Sequence, residues 1–132
     1  MTIPTVPDTH RDLLDAANAA TFITVDAQGR PQATAVWYVA DEQGRWTTSL
    51  TSERQKFKNI SANPEVVVFI IDPANMFHTL EIRGTVEIVP DPDFSGLQRI
   101  CDKYDTPIEH ILEMGRDRSM VTVIPRRIVA NG

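Results

Sequence analysis

Apolar positions along the chain change period several times, and each change marks an element. Residues 1–8 carry Pro4 and Pro7 and read as an extended lead-in. Asp8 or Thr9 can cap a helix to about Ala20, with Leu13, Leu14, Ala17 and Ala20 on one face. The pattern then turns to β: a strand over residues 21–26, a turn on Gly29, and a strand from Gln32 to Ala40. A second turn, Asp41 to Arg45, leads into Trp46–Leu50. Phe57 and Ile60 restore a helical period over residues 53–62, which Asn63-Pro64 stops. Val66–Ile71 is an unbroken apolar run, expected of a strand covered on both faces, and residues 79–89 alternate around Gly84. Helices follow from Asp91 to about Tyr104 and from Pro107 to about Met114, then a strand at residues 120–124 that residues 128–130 extend. With no βαβ rhythm and no internal repeat, the natural packing is a small antiparallel barrel decorated by helices.

The 132 residues fit one domain, expected to span 1–132. A core this small leaves room for stabilisation by a second copy. A formal charge of −5 argues against a general nucleic-acid surface. No stretch of about 18 apolar residues and no basic leader with an apolar core is visible, so a cytoplasmic protein without a membrane span is expected. Cys101 is the single cysteine; it falls within a helical pattern and reads as a buried structural thiol.

Candidate chemistry centres on Arg54, Lys56 and Lys58, at the start of a helix and just after the hydroxyl-rich strand end Thr48-Ser49-Leu50-Thr51-Ser52. Free N–H groups and the positive end of the helix dipole favour an anion there, and hydroxyls and cations complete a phosphate site. Taken alone, the triplet fits a solvated face paired with Glu53 and Glu65 better than it fits an anion site. His10, His78 and His110 share no metal-ligand spacing and read as surface histidines, so no metal site is expected. Asp8 and Asp12, like Asp91 and Asp93, fall at helix starts and read as caps. Trp37 and Trp46 read as core, and no hydrolase elbow, P-loop or dinucleotide fingerprint occurs.

The order Gly29-Arg-Pro-Gln, Val36-Trp-Tyr, Arg54-x-Lys-x-Lys-Asn-Ile-x-x-Asn-Pro64 and Leu80-Glu-Ile-Arg-Gly-Thr-Val86 resembles the pyridoxamine 5′-phosphate oxidase-like split β-barrel superfamily. Within it the chain looks most like the small actinobacterial group that uses the deazaflavin coenzyme F420, over roughly residues 10–129. The resemblance implies a mainly β, FMN-binding split-barrel-like fold, an antiparallel Greek-key barrel of about six strands with helical decoration. It further implies a homodimer with two cofactor clefts at the interface. Arg54 and Lys56, with Lys58 nearby, match the phosphate-binding helix start. Thr48 and Ser49 match positions near the phosphate and ribityl chain, and Gln32, Thr34, Val36 and Trp37 match the strand beside the tricyclic ring. Phe77 matches a region contributed to the cleft. The oxidase proper carries further substrate-phosphate basic residues near its C-terminus; here Arg126 and Arg127 read as solvated, so vitamin B6 oxidation is not implied.

The activity implied is hydride transfer from reduced deazaflavin to a small electron-poor organic molecule, with the protein binding, orienting and excluding water; no catalytic residue is named. Two other readings stay open. One is an FMN-dependent oxidoreductase on the same barrel; the other is a low-turnover F420- or haem-binding carrier.

Overall fold

The computed structural model describes residues 2–132. A 3-10 turn at Asp8–His10 leads into α1 (Arg11–Asp15), followed by β1 (Ala20–Val25), β2 (Pro31–Val36), β3 (Val39–Ala40) and β4 (Trp46–Thr51). Then come α2 (Gln55–Ala62), β5 (Glu65–Asp72), β6 (Asn75–Pro90), α3 (Ser95–Lys103), α4 (Ile108–Leu112) and β7 (Arg118–Asn131). All seven strands form one sheet, paired antiparallel in the order β2-β1-β5-β6-β7-β4-β3.

That order forces curvature. β2 and β3 lie at opposite edges of the sheet, yet only Trp37 and Tyr38 separate them. Three Cα steps reach about 11 Å, so the two edges must come together. The sheet curls into a barrel that stays split where β2 meets β3. The strand expected from Gln32 to Ala40 is therefore two strands, which makes seven in place of about six.

The local chemistry behind the hairpins is repeated. In Asp26-Ala-Gln-Gly-Arg30, Asp26 Oδ1 accepts from the Gln28 and Arg30 N–H groups at 2.9 Å each. In Asp41-Glu-Gln-Gly-Arg45, Asp41 Oδ1 accepts from Gln43 at 2.9 Å and Arg45 at 2.8 Å. Each turn puts its glycine at positive φ, 81° at Gly29 and 75° at Gly44, a region that only glycine enters without strain.

The core fills the barrel with Phe22, Tyr38, Trp46, Val68, Ile70, Leu80, Val121 and Val123, and α1 adds Leu13 and Leu14. A smaller group, Leu97, Cys101 and Leu112, joins α3 to α4, and Cys101 is buried there as expected.

Three further expectations are corrected. The first helix ends at Asp15, not near Ala20. Ala20 instead opens β1 opposite Val36, so sheet pairing overrides the helix propensity of the alanines. The third helix begins at Ser95 rather than Asp91. Asp91 serves as its cap from outside: its carboxylate accepts from the Gly96 and Leu97 N–H groups, both at 3.0 Å. Finally, β5 is not covered on both faces. Val66, Val68 and Ile70 are buried, Val67 and Phe69 are half-buried, and Ile71 is exposed.

β6 and β7 form the long ladder of the barrel, and β7 runs continuously through Pro125. It does so because the register shifts between Arg83 and Gly84, opposite Pro125, a place where proline's missing N–H is tolerated.

Candidate functional site

A cleft of about 400 Å³ opens at the split in the barrel. One wall is the end of β2 and the crossing to β3: Ala35, Val36 and Trp37. The floor is β4, through Thr48, Ser49, Leu50 and Thr51, and one end is the entry to α2, through Arg54 and Lys56. Leu97 and Ile100 of α3, Ile111 of α4, Met114 and Arg118 close the opposite side.

The barrel positions these groups by ordinary strand geometry. β4 pairs with β7, so Ser49 lies opposite Met120 and Thr51 opposite Arg118. Thr48 Oγ1 donates to the Trp37 carbonyl at 2.6 Å, pinning the β2–β3 crossing against β4. Trp37 is 38% exposed; its outer ring face is open to the cleft region while its inner face lies on Tyr104, with centroids 4.4 Å apart and planes within 9°. Of the two tryptophans expected in the core, Trp46 is there and Trp37 is not.

The basic end is rich in unspent hydrogen-bonding capacity. Arg54 occupies the N-cap of α2, and no side chain caps that helix; the Phe57 N–H donates to the Arg54 carbonyl at 3.0 Å, which leaves the Gln55 and Lys56 N–H groups open to an anion. Among the described residues, no carboxylate lies within ion-pairing distance of Arg54, Lys56 or Lys58. Glu65 instead pairs with Arg126, at 2.9 and 3.1 Å. Burial of its amine, with the charge of Arg54 second, holds Lys56 below the ordinary lysine range. Thr51 is 3% exposed, and its hydroxyl has no hydrogen-bond partner within the chain. A buried polar group left this way calls for a partner from outside.

Arg118 is the residue that sequence reading missed. It is 8% exposed. Its Nε donates to the Gly115 carbonyl at 2.8 Å, Nη1 to Ser49 Oγ at 3.2 Å and Nη2 to the Ile111 carbonyl at 3.2 Å. Desolvation lowers its pKa, and among the described residues no carboxylate forms an ion pair with it, so its charge adds positive potential beneath the cleft. Nothing in its local sequence, Arg116-Asp-Arg-Ser, distinguishes it from a surface arginine. Asn59 was also passed over. Its amide donates to Thr24 Oγ1 and Gln32 Oε1, both at 3.0 Å, and it accepts from Gln55 Nε2 at 2.8 Å, which fastens α2 to β1 and β2.

Of the ten candidate residues, Val36, Trp37, Thr48, Ser49, Arg54 and Lys56 converge on the cleft. Gln32 is engaged with Asn59 beneath α2. The Thr34 hydroxyl is shielded and has no partner in the chain. Lys58 is exposed on the outer side of α2, and Phe77, 76% exposed, lies at the start of β6 away from this lining.

Of the three histidines expected at the surface, His110 is exposed, whereas His10 and His78 are engaged with other elements. His10 is buried, contacting Thr9 Oγ1 at 2.9 Å and the Asn131 carbonyl at 2.8 Å, and its ring packs against His78, centroids 4.3 Å apart and planes tilted by 37°. Asp12 makes no helix cap; its carboxylate meets His78 Nε2 at 3.0 and 3.1 Å.

A split antiparallel barrel with a cationic, hydroxyl-lined cleft at its seam defines a class of small-molecule-binding proteins. The chain belongs to the pyridoxamine 5′-phosphate oxidase family, whose model matches residues 6–130. Among solved structures it is similar to an F420 reductase, at 36% identity and a TM-score of 0.84, covering 94% of this chain and 98% of that one. A conserved hypothetical protein from Mycobacterium tuberculosis shares the fold at 22% identity and TM-score 0.78, over 98% of this chain and 86% of that one. The haem storage protein HutZ from Vibrio cholerae shares it at 19% identity and TM-score 0.71, over 94% and 91%. No curated protein matches the sequence.

Proposed function

We propose that this protein is an F420-dependent reductase that passes a hydride from reduced deazaflavin to a small electron-poor organic substrate. The observation that carries the reading is that Arg54, Lys56 and Arg118 line one cleft together with Trp37 and with Thr51, whose buried hydroxyl has no partner within the chain. Similarity to an F420 reductase along nearly the full length of both chains supports it.

These residues fit such a cofactor in kind. Arg54, Lys56 and the open first-turn N–H groups of α2 would hold the phosphate, with Thr51 and Ser49 donating hydroxyls. Val36 and Trp37 would flank the tricyclic ring. Once bound, the deazaflavin supplies the hydride chemistry itself. The chain's part is to fix the ring face and keep water from it, which Leu97, Ile100, Ile111 and Met114 favour by making the far wall apolar. In a homodimer, the exposed Phe77 and the half-buried outer face of β5 would meet the second copy, and Phe77 would reach the partner's cleft.

Among the described residues the cleft lining carries no histidine, a donor set suited to a phosphate more than to haem iron. Parallel titrations of the protein with F420, FMN and haem, followed by fluorescence and visible spectra, decide the point. Saturable F420 binding, with reoxidation of its reduced form by electron-poor substrates, is expected. FMN binding without F420 binding would overturn the reading, and F420 binding without turnover across a broad substrate panel would leave a carrier.

A further inference from the structure

Away from the cleft, three side chains from separate elements meet where the N-terminal helix rests on the barrel. They are Asp12 of α1, Asp72 at the end of β5 and His78 on β6, and one ligand atom from each lies within 4.8 Å of the others. We propose that they form a binding site for one zinc-like divalent transition ion, through His78 Nε2 and one oxygen from each carboxylate.

The imidazole is already oriented for that task. His78 Nδ1 faces the Gly132 carbonyl at 3.2 Å, so a proton there is held by the backbone and Nε2 is directed at the carboxylates. Metal-binding histidines are commonly fixed in this way by a carbonyl behind the ring. His10 packs against the ring at a tilt and spends its own nitrogens on Thr9 and Asn131, so it steadies His78 without being a ligand. The His78 side chain is only 12% exposed, whereas that of Asp12 is 56% exposed, so the ion would enter from the Asp12 side.

Distances suit a small ion. Ligand atoms about 2.0–2.2 Å from zinc are separated by roughly 3.5 Å in a tetrahedron, and Asp12 is already 3.0 Å from Nε2. The Asp72 oxygen lies within 4.8 Å of the other two ligand atoms, so a shift of roughly an ångström would bring it to the same separation. Two carboxylates balance the divalent charge, Nε2 gives its proton to solvent on ligation, and water fills the open coordination position. Mixed imidazole and carboxylate donors favour zinc and its neighbours over calcium, which takes oxygen ligands. The ion would tie α1 to the β5–β6 corner.

The test uses the untagged full chain, stripped with chelator and titrated with zinc chloride at constant pH by calorimetry, alongside thermal melts. One equivalent should bind saturably, and Tm should rise with zinc concentration, because the ion binds the folded state. His78→Ala should abolish this response. Asp72→Asn, which leaves the Asp12–His78 contact in place, should weaken zinc binding by at least the roughly 10–100-fold seen for lost outer-shell partners. Absence of saturable binding, or zinc binding as tight in either variant as in the parent chain, would overturn the proposal.

Discussion

Trp37 and Tyr104 lie ring on ring, 4.4 Å apart and within 9° of parallel, and so join the crossing between the two barrel edges to the end of α3. Tyr104 also uses its hydroxyl twice, donating to the Asn18 carbonyl at 2.5 Å and accepting from the Tyr38 N–H at 3.3 Å. The cleft wall is therefore held from behind by a side chain that does not line the cleft. Tyr104→Phe keeps the stack and removes both hydrogen bonds, leaving a backbone donor of buried Tyr38 unsatisfied. Urea unfolding should show a loss of about 1–3 kcal/mol.

Lys56 and Lys58 are two residues apart on α2 but differ in place. Lys56 lines the cleft and Lys58 faces solvent. Lys56→Ala should weaken F420 binding by about 1–3 kcal/mol, the usual cost of a lost charge-assisted partner. Lys58→Ala should leave the Kd nearly unchanged. Fluorescence titration of both variants checks this, and equal effects would show that general charge, not a located site, attracts the cofactor.

Gly84 sits on β6 opposite Pro125 of β7, where the register shifts. A Cβ there would lie 2.0 Å from the Ile124 carbonyl oxygen and 3.1 Å from the Pro125 Cα, both rigid backbone atoms. Gly84→Ala must part the two longest strands of the barrel. A loss of about 3 kcal/mol or more is expected, at the upper end for overpacking. Chemical denaturation measures it, and a stability within about 0.5 kcal/mol of the parent, the range of an ordinary surface change, would contradict the close approach.

Lys103 Nζ donates to the Leu14 carbonyl at 2.8 Å and the Tyr38 carbonyl at 3.0 Å, and lies 4.0 Å from the centre of the Tyr38 ring. Desolvation nevertheless brings its pKa from 10.5 down to about 8. Between those values the unfolded chain holds a proton that the folded chain has released, so stability rises with pH. Above about 10 the sign reverses, since burial holds Tyr104 up at about 12, and Tyr38 higher still, while unfolded tyrosines ionise. Unfolding free energy should therefore climb from pH 8 toward 10 and then fall. In Lys103→Met the climb should be absent.

Local signals settled a good part of this molecule before any folding. The two Asp-x-x-Gly-Arg turns, the alternation of β1 and β6, the stop at Asn63-Pro64 and the basic entry to α2 are properties of neighbouring residues, and short-range chemistry fixes them. The motif order that carried the family resemblance is likewise linear. What the chain could not show is which distant residues meet. Closure of the sheet decided that Val36 and Val39 sit at opposite edges of one seam, and that seam is the cleft. Strand pairing brought Arg118 under Ser49, 69 residues away, and folding set Asp12 against His78, 66 residues away. Periodicity reports burial along one element, whereas ligand sites arise from the register between elements, which only the packed barrel determines.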